Sequence, residues 1–204
     1  MMSTQDNSRQ NDISQGVKLR RQVSENVAKD IAQAYELAKS LRHPWYKCQA
    51  LSEVADHSTS KSIRRILQES FDSAMNCHDQ NRRVSVACWP LRVAIKNNLK
   101  DLANSFLAQC INQLNQEMDP ISKWCAASVV YTIKVDTDLL KSFYNTFVNA
   151  TSKGHGWRVE REIKFMLADP DIQKDQRYIS YLVERQSAIA NWKNENSQRK
   201  GSAS

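Results

Sequence analysis

The residue types able to do chemistry are present in this chain but scattered. His43, His57, His78 and His155, with Cys48, Cys77, Cys88, Cys110 and Cys125, are the candidates for metal ligation or nucleophilic work. A zinc site needs about four such ligands converging, commonly with two of them two to four residues apart. Only adjacent Cys77-His78, with Cys88 eleven positions on, approaches that pattern, and neighbours on one backbone rarely share a tetrahedral ion. A cysteine nucleophile needs a base to activate it and a third group to orient that base, and nothing in the sequence places such a group. The cysteines instead fall at apolar helical positions, where thiols are inert. Gly154-His155-Gly156 joins two helical segments and follows no strand, so it reads as a hairpin turn rather than a phosphate loop. Arg158, Glu160, Arg161 and Glu162 mix charge along one helix, as solvated faces do. Three of the histidines fall at helix junctions, where an imidazole can hydrogen-bond the last carbonyls. No catalytic residue, cofactor or metal is expected, and the chain reads as a non-enzyme.

Charge is the more informative signal. The net charge is +7, and residues 61–100 hold eight Lys or Arg against three acids, whereas residues 101–150 hold three against five. Arg64, Arg65, Arg82, Arg83, Arg92 and Lys96 are the residues of this block expected to meet a partner. Arg92, Lys96 and Lys100 are spaced by four, although Asn97-Asn98 is expected to end the helix before Lys100. Such a face can recruit an acidic protein, nucleic acid or anionic lipid. Without a known nucleic-acid motif or interleaved exposed aromatics, an acidic protein surface ranks first and nucleic acid second.

These residues need elements to hold them. Val27, Ile31, Ala34, Ala38 and Leu41 recur at steps of three and four, and His43-Pro44 stops that helix, giving an expected span of 24–41. Pro44 then suits the first turn of a helix over 45–57. Ser60 is expected to cap a helix through Ile63, Ile66, Leu67 and Phe71, and Asp79 the next, through Val84, Leu91 and Ile95. Further pairs run from Leu102 to Leu114 and from Asp119-Pro120 to Tyr131, then from Asp136 or Thr137 to Ala150 and from Trp157 to Leu167. Asp169-Pro170 ends the last pair, and a final helix carries Tyr178, Leu182, Ile189 and Trp192. Pro90 falls inside a periodic segment, so it should remove one backbone hydrogen bond and kink the helix near Val86. The carbonyl so freed would serve curvature or face a partner. Trp45, Trp124 and Trp157, near the starts of second helices, are expected to wedge between hairpins.

Basic residues near the start of each second helix are separated by similar steps: Lys47 to Arg83 is 36, Arg83 to Lys123 is 40, and Lys123 to Arg158 is 35. A helix hairpin leaves one apolar face uncovered, so stacked neighbours complete one another's core. In period and apolar spacing over residues 24–192 the chain resembles the broad tetratricopeptide and HEAT class of helical repeats. That resemblance implies an all-α fold of stacked antiparallel hairpins, an α-solenoid of about nine helices. A compact helical bundle is the alternative. The expected domain is 24–193, between polar disordered tails at 1–23 and 194–204.

Composition agrees with helix. Four Gly and four Pro are few for a chain of 204 residues, because all-β folds need turn residues every ten or so positions. No run of about seven apolar residues behind a basic start suggests a secretory signal, and none of about eighteen suggests a membrane span. A cytoplasmic protein with reduced, mostly buried thiols is expected, without membrane insertion. The function read from all this is a helical-repeat binding module, an adaptor that meets an acidic partner through its basic face, with nucleic-acid binding as the alternative.

Overall fold

The computed structural model describes residues 4–117, 125–151, 157–168, 170 and 172–201. The fold is all-α: ten α-helices and one short 3₁₀ turn, with no strand among the described residues. The helices are α1 (Thr4–Asn26), α2 (Ile31–Ser40), α3 (Pro44–Asp56), α4 (Ser60–Met75), α5 (Gln80–Lys96), α6 (Lys100–Gln116), α7 (Cys125–Ile133), α8 (Thr137–Thr151), α9 (Trp157–Leu167) and α10 (Gln176–Gly201). The chain divides into two compact units, Met1–Cys110 and Ile111–Ser204, where a single domain was expected. No helix is long and apolar enough to cross a membrane, among the described residues.

Local chemistry explains most boundaries. Asp30 and Asp79 cap α2 and α5 by accepting hydrogen bonds from the backbone N–H groups of Gln33 (2.9 Å) and Arg82 (2.8 Å). Asp136 does the same for α8, accepting from Asp138 and Leu139 at 3.1 Å. Pro44 occupies the first turn of α3, where its missing N–H costs nothing. The α5 helix ends before Lys100, as its Asn pair predicts. Asn98 adopts φ 55°, and Leu99 N–H reaches back to the Ala94 carbonyl at 2.9 Å, the reversal that an αL residue after a helix permits. The caps expected at Asp119-Pro120 and the breaks at Gly154-His155-Gly156 and Asp169 lie outside the described residues.

Three sequence expectations are corrected. The helix expected over 24–41 is interrupted, because the chain turns after Asn26 and Asp30 restarts it as α2. Ser60 is the first residue of α4 rather than its cap, which is Thr59. The polar stretch 1–23 is helical from Thr4, and the stretch 194–204 continues α10 to Gly201. Polar composition hid both; among the described side chains of α1 and just beyond it, the buried positions are Gly16, Val23 and Val27, set among polar residues.

In the first unit α1 packs on α2, α2 on α3, α3 on α4 and α4 on α5, and α3 also packs directly on both α1 and α5. The even helices are linked in the same way. The Tyr35 hydroxyl of α2 donates to Glu69 of α4, and Phe71 of α4 stacks on Phe106 of α6 with centroids 4.2 Å apart and planes within 4°. Odd and even helices thus form two rows. The second unit repeats this contact pattern: α7 packs on α8 and α9, α9 on α10, and the Tyr178 hydroxyl of α10 donates to the Leu140 carbonyl of α8 at 2.7 Å.

All five cysteines are free and buried. Burial pushes the Cys48 thiol up to about 12 and that of Cys77 to about 11, so neither forms thiolate near neutral pH. In native protein at pH 8 a thiol reagent should therefore label all five slowly, and fully once denaturant is added; rapid stoichiometric labelling of the native chain would contradict this packing.

Candidate functional site

The expected basic residues do not share one face. Arg64 and Arg65 stand on α4, in the even row, whereas Arg82, Arg83, Arg92 and Lys96 stand on α5, in the odd row. Most of them are also engaged within the fold. Arg64 grips Asp101 of α6 with two hydrogen bonds, 2.6 and 3.0 Å, and these hold the Asp101 carboxyl below its usual range. Arg65 bonds Glu69 and the Tyr35 hydroxyl. Lys96 donates to both carboxylate oxygens of Asp56 on α3, at 2.8 Å each. Arg82 pairs with Asp79 at 3.3 Å, and half-buried Arg83 donates from Nε to the Cys77 carbonyl at 2.8 Å.

Arg92 differs. It is exposed, and its guanidinium lies over the ring of half-buried Trp89, 5.5 Å from the centroid. A second guanidinium, that of Arg20 on α1, lies over the same ring at 5.7 Å. Neither arginine has a carboxylate within ion-pair distance among the described residues. The odd row therefore presents two cations on one indole, each attracted to the ring by its quadrupole, yet with their charge unneutralised.

Local structure aims this cluster. Pro90, buried inside α5, cannot donate to the Val86 carbonyl. That carbonyl accepts instead from the thiol of Cys48 on α3, at 3.5 Å and fully inside the core. It therefore faces neither a ligand nor a partner, and the proline's imprint is a contact between α5 and α3. Two further bonds knit the row: the Ser24 hydroxyl of α1 donates to Glu53 of α3 at 2.7 Å, and Lys96 holds Asp56.

The residue that sequence reasoning missed is Arg20, which falls in the stretch expected to be a tail. A signal existed, since Gly16, Arg20, Val23 and Val27 follow one another at helical steps of four, three and four. The histidines expected at helix junctions divide. His57 closes α3 and its Nδ1 hydrogen-bonds the Glu53 carbonyl at 3.0 Å, as a junction histidine should. His43 makes no such bond. His155 lies outside the described residues. No three His, Cys, Asp or Glu side chains are grouped to hold a metal ion, among the described residues.

Comparison with family models, with curated proteins and with solved structures finds no match for this chain. The site is accordingly read from its own chemistry.

The pairing pattern separates structural from free cations. Arg83→Ala should cost about 1–3 kcal/mol, because it removes a charged donor from the Cys77 carbonyl, whereas Arg92→Ala should cost no more than about 1 kcal/mol for a surface cation–π contact. Thermal or denaturant unfolding of the two variants reads the difference; equal losses would contradict it.

Proposed function

We propose that this chain is a non-enzymatic helical-repeat binding module of the cytosol, whose odd helix row receives an acidic segment of another protein. The observation that carries the reading is the pair Arg20 and Arg92, two cations without carboxylate partners set over one half-buried indole. Lys96, Arg64 and Arg65 already have acidic partners in the fold, whereas Arg20 and Arg92 converge on one ring without one. A carboxylate from a partner would gain charge-assisted hydrogen bonds with either guanidinium, while the indole offers apolar surface to the partner's backbone or methylene groups. Rows of helices suit this role because successive outer faces contact an extended or helical segment over many residues. Five free buried thiols are compatible with a reducing compartment.

The interleaving of an aromatic ring with guanidinium groups also favours a second reading, in which the same face stacks and neutralises a single-stranded nucleic acid. The readings part on salt. Phosphate contacts release condensed counterions, so nucleic-acid affinity falls log-linearly and steeply with salt.

The test is binding of a Glu/Asp-rich peptide and of a single-stranded oligonucleotide to the full chain across a salt series. Arg20→Glu with Arg92→Glu should weaken the acidic peptide at low salt by about tenfold or more, the scale of one lost charged contact, and leave the helical spectrum unchanged. Arg64→Glu with Arg65→Glu should have a smaller effect. Undiminished peptide binding by the first variant overturns the assignment of the face. Selective, steeply salt-dependent binding of the oligonucleotide transfers it to the nucleic-acid reading.

A further inference from the structure

Arg20 reaches Trp89 only while α1 stays docked on α2 and α3. Among the described side chains, Val23 of α1 and Val27 just beyond it are buried, whereas Ile13 and Val17 are about half exposed. A further contact is with the corner between α2 and α3. There Gly16 is buried against Tyr46, so closely that a Cβ at this position would overlap the ring. The other side of that ring environment is His43, whose imidazole lies 5.0 Å from Tyr46 between centroids, inclined by 50°. His43 lines a shallow recess whose walls come from α1, with Asp12, Gln15 and Gly16, and from the corner, with Ser40 and Arg42. Its Nδ1 is sealed from solvent and has no hydrogen-bond partner.

We propose that His43 is an acid-sensitive latch, whose protonation releases α1 from the corner and withdraws Arg20 from Trp89. A neutral ring with one unbonded nitrogen is tolerable in this position, but the imidazolium adds a charge and makes Nδ1 a donor where no acceptor waits. The charged groups around it do not reverse this. Asp12 of α1 favours the charged form, Arg82 of α5 opposes it, and Arg42 of the corner is a further cation on the same recess. Burial is the largest influence and holds the His43 imidazole below its ordinary value of 6.5. Docked His43 therefore binds a proton less readily than free His43. Its contribution to docking is complete above about 6.5 and is lost as pH falls from there through the docked value.

The consequence for binding rests on the reading of the face given above, but the latch itself is testable with no partner present. Backbone hydrogen exchange of the full chain, corrected for intrinsic rates, should show the Leu19–Asn26 amides of α1 opening severalfold more at pH 5.5 than at pH 7.5, with those of α3 unchanged. His43→Phe retains a ring against Tyr46 and should abolish the response; His43→Gln serves if that variant loses its helical spectrum. Asp12→Asn should deepen the loss, since the carboxylate that favours the imidazolium is gone. A parent chain whose α1 does not respond, or a response that persists in the uncharged variants, overturns the latch and leaves the acidic-partner reading standing. Failure of the peptide to bind at pH 7.5 overturns that reading and leaves the latch.

Discussion

The α3 helix is buried on nearly every side, and the first unit is arranged around that constraint. Cys48, Gln49, Ala50, Leu51, Ser52, Val54 and Ala55 are all buried, leaving Glu53 as the half-exposed break in the run. A helix apolar over so much of its circumference must be covered from several directions, and α1, α2, α4 and α5 supply the cover. Small side chains at Ala50, Ser52 and Ala55 leave room for these neighbours to approach. The polar groups this burial traps are satisfied internally: Ser52 and Ser70 share a hydrogen bond of 2.8 Å, Ser70 donates to the Cys48 carbonyl at 2.8 Å, and the Cys48 thiol serves the carbonyl that Pro90 leaves open. The proline in α5 and the cysteine in α3 are therefore two parts of one contact.

Placing α3 at the centre also decides what its neighbours can present. In α1 and α5, which flank it in the odd row, the sides turned toward α3 are fixed by Val23, Val27, Val86 and Ala87, so Arg20, Trp89 and Arg92 are left at the margin. Glu53 and Asp56, the acids of the last turns of α3, are engaged by Ser24 and Lys96, and so do not neutralise the two arginines. The even row is different in kind. Lys39, Arg64 and Arg65 each meet a carboxylate there, and these contacts and the ring stack help tie α2, α4 and α6 together.

The helical class, the caps at Asp79 and Asp136 and the end of α5 at the Asn pair were legible because each depends on residues within one turn of the feature. The break after Asn26 was not, since the apolar spacing passes through it and only Asp30 marks the restart. Helix at the two ends of the chain was obscured by polar composition, with no broad apolar stripe to mark it. The basic block was legible as a count but not as a surface. Its partners lie far off in sequence, 37 residues for Arg64 with Asp101 and 40 for Lys96 with Asp56, and one-dimensional charge cannot see them. Arg20 was missed for the converse reason: its place beside Trp89 follows from how α1 crosses the row, which no local pattern encodes.

The central claim is that the two guanidinium groups converging on Trp89, on the odd helix row, receive an anionic partner. Mapping amide and indole chemical shifts of the isotopically labelled chain during titration with a Glu/Asp-rich peptide tests it most directly. The account predicts changes at Arg20 and its neighbours on α1, at the Trp89 indole and around Arg92 on α5. Changes centred instead on Arg64 and Arg65 of α4, or spread without focus over both units, would contradict it.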